Sequence, residues 1–184
     1  MSSASESTLA AALPHAAERV RPHVEEVVGL YGSLRRPLLR YALTFGVLAS
    51  DVEEVVQETF LALFKHLESG KSRQNLPGWA FRVCHNLALK QREKAMKLMN
   101  SEAEWSAQHM QAGLNPEQQL LQAQRRAKLQ AVLTALPEQD RCCISLRAEG
   151  LRYREIAEIL DISLGAVSLS LTRSLKKFEH ADRE

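Results

Sequence analysis

The chain has 184 residues, 45% of them hydrophobic, with only eight glycines and six prolines, a composition that suits packed helices and excludes collagen-like and low-complexity proteins. Its 24 basic and 22 acidic residues leave a net charge of +2, too small in sum to mark a nucleic-acid binder. The charges are segregated, however. Acidic residues gather in 51–58 and basic ones in 82–97, 125–128 and 173–177, and phosphate is met by a local field rather than by a sum.

In chain order, residues 1–22 are rich in Ala, Ser and Glu without a clear apolar period, and are expected to form a loose leader. No charged-then-apolar signal and no long uncharged run appears, so export and membrane insertion are not expected and a cytoplasmic location is. Helical spacing begins with Val24, Val27, Val28 and Tyr31 and continues through Leu34, Leu38, Leu39, Ala42 and Phe45. Gly29, Gly32 and Pro37 suggest breaks along it. Ser50 and Glu53 form the spacing of a capping box. The helix they open would bury Val52, Val55, Val56, Phe60, Leu63, Phe64 and Leu67. A polar loop over 69–77 precedes a helix running to Lys94, with Trp79, Ala80, Val83 and Leu87 on its inner side.

Residues 96–115 carry no sustained stripe and are expected to be a flexible linker. Asn115 and Pro116 start another helix, Leu136 and Pro137 divide it from the next, and Gly150 closes that one. The three cysteines show no metal spacing, so reduced, buried thiols are expected, with neither metal nor cofactor.

From Leu151 onward, LRYREIAEILDISLGAVSLSLTRSLKKF has the form of a helix-turn-helix. Ile156, Ala157, Ile159 and Leu160 stripe the first helix, Asp161 to Ser163 make the turn, and Ser163 is placed to cap the second. Val167, Leu171, Leu175 and Phe178 should face inward there. The opposite face, with Arg173, Lys176 and Lys177 towards its end, is left for DNA. The fold class is therefore all-α. Two small helical domains are expected, 23–95 and 116–184, joined by the linker.

Four blocks in order resemble a bacterial sigma factor of the extracytoplasmic-function (ECF) class, in the sigma-70 family. ASDVEEVVQETFLALFKHL is similar to the polymerase-binding helix of region 2, and LPGWAFRVCHNLALKQREK to the helix that meets the melted promoter element. LTALPEQDRCCISLRAEGLRYREIAEIL is similar to the start of region 4, and DISLGAVSLSLTRSLKKF to its recognition helix. The resemblance implies a transcription initiation factor rather than an enzyme. Its partners would be core RNA polymerase (the largest subunit's clamp helices, and the flap), promoter DNA and an anti-sigma factor.

The resemblance also implies sites. Glu54, Gln57, Glu58, Leu61 and Lys65 lie off the packed stripe and would bind core polymerase. Ser72, Arg73, Gln74 and Asn75 would hold a flipped base of the -10 element, with Arg82, Asn86 and Lys90 beside them on the helix. Arg152, Arg154, Ser163, Gly165, Ala166, Ser168, Leu169, Arg173 and Lys176 would meet the -35 element. Three departures from the family pattern stand out: Lys90 replaces a frequent acidic residue, Ser168 and Ser170 replace basic ones, and Asp161 replaces the usual turn glycine. The rival reading is a stand-alone helix-turn-helix regulator, which would not bind core polymerase.

Overall fold

The structure, a computed structural model, describes residues 13–99 and 129–183. Helix α1 spans Leu13–Leu43, α2 Ala49–Glu68 and α3 Leu76–Met99. A helical segment at 129–134, α4, leads to α5 at Glu138–Ala148. Helices α6, Tyr153–Leu160, and α7, Leu164–Arg183, complete the order. The described residues contain no strand, and no helix among them is long and apolar enough to cross a membrane.

The first three helices pack mutually. Leu38, Tyr41 and Ala42 of α1 are fully buried, as are Leu63 and Leu67 of α2 and Ala80, Cys84 and Ala88 of α3. Removing one such leucine side chain from water stabilises the fold by about 2 kcal/mol. That gain explains why α1 runs unbroken through Gly29, Gly32 and Pro37, where breaks are expected. Pro37 deprives the Ser33 carbonyl of its helical donor, yet Leu34 and Leu38 on either side are both buried. Residues 13–22, expected to be loose, are helical from Leu13 onward. Helix α3 likewise continues to Met99, so 96–99 are helix and not linker; the rest of the proposed linker, from 100 to 115, lies outside the described residues, as do Asn115 and Pro116.

The Ser50 capping box does not form. Helix α2 begins two residues earlier than a Ser50 cap would set it, after an extended Leu48 that offers no side-chain cap. Ser50 Oγ donates to Asp51 Oδ1 at 3.3 Å, while Glu53 accepts from Arg35 Nη2 at 2.7 Å. An ion pair across to α1 takes the carboxylate that the box requires.

Helices α5 to α7 form the second group, around Cys143, Leu146, Ile156, Val167 and Leu171. Leu175, expected inside, is 52% exposed, and Ser174 occupies the inward position instead. Burial there is tolerated because Ser174 Oγ donates to the Ser170 carbonyl at 2.8 Å, satisfying the hydroxyl. Cys84, Cys142 and Cys143 are free and buried. Burial pushes the Cys84 and Cys142 thiols up to about 12, which keeps them protonated and unreactive.

Candidate nucleic-acid interface

On α2, Glu54, Gln57, Glu58, Leu61 and Lys65 are all exposed. At 100° per residue they share an arc of about 100°. Leu61 is 61% exposed at its centre, flanked by the two glutamates and the lysine. This is a mixed apolar and charged face on a helix whose other side is locked into the core.

The loop before α3 is built for shape. Asn75 has a left-handed backbone, φ 50°, and its Oδ1 accepts the Gly78 N–H at 3.1 Å. Asn75 thus caps α3 as well as standing in the expected base-holding set. Ser72 Oγ accepts the Gln74 N–H at 3.2 Å, and the Ser72 carbonyl bonds His66 Nε2 at 2.8 Å. Arg73 pairs with Glu26 at 3.1 Å and meets His23 Nδ1 at the same distance. The loop is therefore tied to both α1 and α2, with all of residues 71–75 exposed.

Glycine at 78 leaves room for the Asn75 amide. A Cβ there would lie 2.9 Å from both Cγ and Oδ1 of Asn75 and closer still to its amide nitrogen. Gly78→Ala is expected to displace the cap and lower stability by about 1 kcal/mol, measured by urea unfolding. A variant as stable as wild type would remove Asn75 from that role.

Arg82, Asn86 and Lys90 are exposed together along α3, on the side away from the buried Ala80, Cys84 and Ala88. Trp79, expected on the core side, lies only partly against the core. Its ring rests on His66, with centroids 4.5 Å apart and 43° between planes. The signal was present in the spacing, since Trp79 is three residues before Arg82 and seven before Asn86, within their stripe.

On the inner side of α3, the Tyr41 hydroxyl bonds His85 Nδ1 at 2.8 Å. Desolvation lowers the His85 pKa from 6.5, Glu138 opposes that shift, and Arg92 adds to it. Above 6.5 the ring is neutral in folded and unfolded chains alike, and the buried contact contributes fully. As pH falls below 6.5 the unfolded chain takes up the proton first, so stability declines. His85→Gln should flatten this part of the pH dependence when urea unfolding is compared at about pH 7.5 and about pH 5.5. Identical slopes in the two proteins would count against it.

In the helix-turn-helix, Ser163 Oγ accepts the Ala166 N–H at 3.1 Å, and Asp161 ends α6 in the left-handed region at φ 53°. The short polar side chain of Asp tolerates that conformation where a glycine is otherwise used. Gly165, Ser168, Leu169 and Lys176 are exposed on α7 and share its outward side; Ala166 is half-buried at the flank. Arg152 and Arg154 are exposed at the start of α6. The backbone N–H of Arg152 donates to Glu155 Oε2 at 2.6 Å.

Arg173 is differently engaged. Its Nε and Nη2 donate to the two Asp140 oxygens at 3.1 and 2.7 Å. That carboxylate is 1% exposed, and its hydrogen bonds and charge raise the Arg173 pKa. Ser170 is buried and accepts Gln139 Nε2 at 3.0 Å. The two residues therefore join α7 to α5. Thr172 was absent from the sequence-derived set, yet it is exposed between Ser168 and Lys176. Its place three residues after Leu169 and seven after Gly165 is the signal that finds it.

The chain thus joins a helix-turn-helix with a clear outward side to a helical group that carries a polar loop and a mixed surface face. Comparison supplies the class. The "Sigma-70 region 2" pattern matches residues 30–97 and "Sigma-70, region 4" matches 126–178; together they take in more than half of the chain. The chain belongs to the sigma-70 family, and its curated relatives are ECF sigma factors. The ECF RNA polymerase sigma-E factor of Haemophilus influenzae is 27% identical, over 89% of this chain and 91% of that one. SigE of Mycolicibacterium smegmatis is 30% identical over 89% of this chain and 60% of its own. The sigma-E factor of Escherichia coli K12 is 29% identical over 72% and 74%. Two solved structures share the fold at a TM-score of 0.61: CnrH with the cytosolic domain of CnrY, 23% identical over 90% of this chain and 92% of that one, and the Bartonella quintana sigma factor RpoE with the anti-sigma factor NepR, 22% identical over 84% and 97%.

Proposed function

We propose that this chain acts in the cytoplasm as an ECF sigma factor, binding core RNA polymerase and directing it to promoters with a -10 and a -35 element. The observation that carries the reading is the order of surfaces along one chain: the α2 face, the capped loop with the α3 stripe, and the outward side of α7, inside segments matched by region 2 and region 4. On this reading Glu54, Gln57, Glu58, Leu61 and Lys65 meet the clamp helices of the largest subunit. Gln74, with Ser72, Arg73 and Asn75, lines the loop for a base leaving the melted strand. Arg82 and Lys90 neutralise phosphate, and Asn86 addresses a base edge.

At the -35 element, Ser168, Leu169 and Thr172 stand where α7 would enter the major groove. A hydroxyl suits a base edge, and a methyl or leucine side chain suits the thymine methyl. Lys176, Arg152 and Arg154 are phosphate contacts. Regulation by an anti-sigma factor is part of the proposal, supported by the solved Bartonella quintana sigma factor RpoE bound to the anti-sigma factor NepR.

The test is transcription on genomic fragments by core polymerase with and without the purified chain, with start sites mapped. New, discrete start sites are expected, as is binding to core polymerase in the absence of DNA. A chain that binds DNA fragments but never core polymerase would be a stand-alone regulator.

A further inference from the structure

Helix α1 reaches the loop between α2 and α3 through two polar side chains. Its inward stripe packs Val27, Leu30 and Leu34 against the core. His23 and Glu26, half-buried, fall on the same face at helical spacing. Arg73 of the loop closes on both: its Nε donates to Glu26 Oε2 and its Nη2 to His23 Nδ1, each at 3.1 Å. A guanidinium only donates, so Nδ1 of His23 is the accepting nitrogen and the ring proton sits on Nε2.

The rest of the loop is engaged in the same way. Ser72 Oγ accepts the Gln74 N–H, its carbonyl accepts from His66 Nε2, and Asn75 Oδ1 accepts the Gly78 N–H. Among the described residues, none bonds the exposed side chain of Gln74. Of the four loop residues proposed to hold a base, three therefore shape the loop and one is left to meet a ligand. A carboxamide carries a donor and an acceptor in one plane, which suits the edge of an unstacked base.

We propose that Glu26 and His23 are positioning residues for base capture: by holding Arg73 they fix the loop in the shape that presents Gln74. The proposal rests on the sigma-factor reading for its consequence. It adds to that reading a part of α1 ahead of the region 2 match, which begins at residue 30. Ordering an exposed loop costs backbone entropy. A cost met by contacts within the free chain does not have to be met again when the base arrives, so the loop binds it preorganised. The Arg73 and Glu26 side chains are 51% and 31% exposed, which sets the pair among partly screened ones of modest effect.

The experiment uses Glu26→Ala, Glu26→Gln, Arg73→Ala and the double variant Glu26→Ala with Arg73→Ala in the full chain. Transcription with core polymerase is read on promoters randomised across the -10 element and melted there beforehand. Glu26→Ala should bind core polymerase as wild type does, and lower the preference for the favoured base at one position roughly three-fold. Glu26→Gln, which keeps the acceptor, should lose less. The double variant should lose no more than Arg73→Ala alone, because Glu26 acts through Arg73. Hydrogen exchange at 72–75 in the free chain should quicken in Glu26→Ala. Wild-type base preference in Glu26→Ala would overturn the positioning role. Additive losses in the double variant would overturn it as well, and return Arg73 to the nucleic acid. If wild type directs no specific start site with core polymerase, the sigma reading falls and base capture with it, while hydrogen exchange still decides whether α1 holds the loop.

Discussion

Glu58→Lys combined with Leu61→Asp is expected to lower affinity for core RNA polymerase by about 100-fold, with helical content unchanged. Both side chains are exposed on α2, and the buried residues that hold this helix, among them Val56, Phe60 and Leu63, lie on its other side. The substitutions therefore alter a surface rather than a core. Leu61 is the apolar centre of that surface, and centres of interfaces hold the residues whose loss costs 2 kcal/mol or more. Reversing Glu58 adds a charge mismatch in the same desolvated patch. Co-purification with core polymerase is the measurement. A folded double variant that co-purifies as wild type does would remove α2 from the contact.

Asp140→Ala and Arg173→Ala are expected to share one phenotype: each should loosen the α5–α7 junction and sharply reduce use of the -35 element, although Asp140 is buried. A carboxylate 1% exposed needs its paired guanidinium, and deleting either partner leaves a charge or a cavity where two helices join. Arg173 is on this view a positioning residue. The readout that separates positioning from phosphate contact is the salt dependence of promoter binding. Loss of a phosphate contact flattens the slope by about one unit, whereas loss of position lowers affinity at every salt concentration and leaves the slope of the remaining binding unchanged. A flattened slope for Arg173→Ala, with Asp140→Ala like wild type, would return Arg173 to the DNA surface.

The helix-turn-helix was legible because its signals are local. The Ile156 and Ile159 spacing, the left-handed Asp161 and the Ser163 cap each lie within a turn or two of the residues they organise. The exposed face of α2 was legible for the same reason, since the apolar period of its buried side defines its outer side. What sequence spacing missed was decided by distant partners. Arg173 is paired with Asp140, 33 positions earlier, a partner its own helix does not announce, and Glu53 leaves its box for Arg35, 18 positions earlier. Ser174 took the place expected for Leu175 because a backbone carbonyl satisfies its hydroxyl, a possibility that hydrophobic spacing does not register. Pro37 and the two glycines punctuate an isolated helix, but in α1 the packing of Leu34 and Leu38 outweighs their local cost.

With Arg173 paired to Asp140, Lys176 is the cation that remains unpaired by that contact on the outward side of α7, so on the proposed reading this helix by itself holds a duplex weakly. A module of this kind gains residence from attachment. On the proposed reading, once the companion helices and the polymerase are seated downstream, α7 is held near its half of the promoter at an effective concentration far above its free concentration. Weak, steric reading of a few bases would then suffice to choose a site, and that site would be given up as soon as the polymerase moves on. On that reading, the pairing of one arginine inside the fold makes promoter selection a property of the assembly, in which discrimination and dwell time are supplied by different molecules.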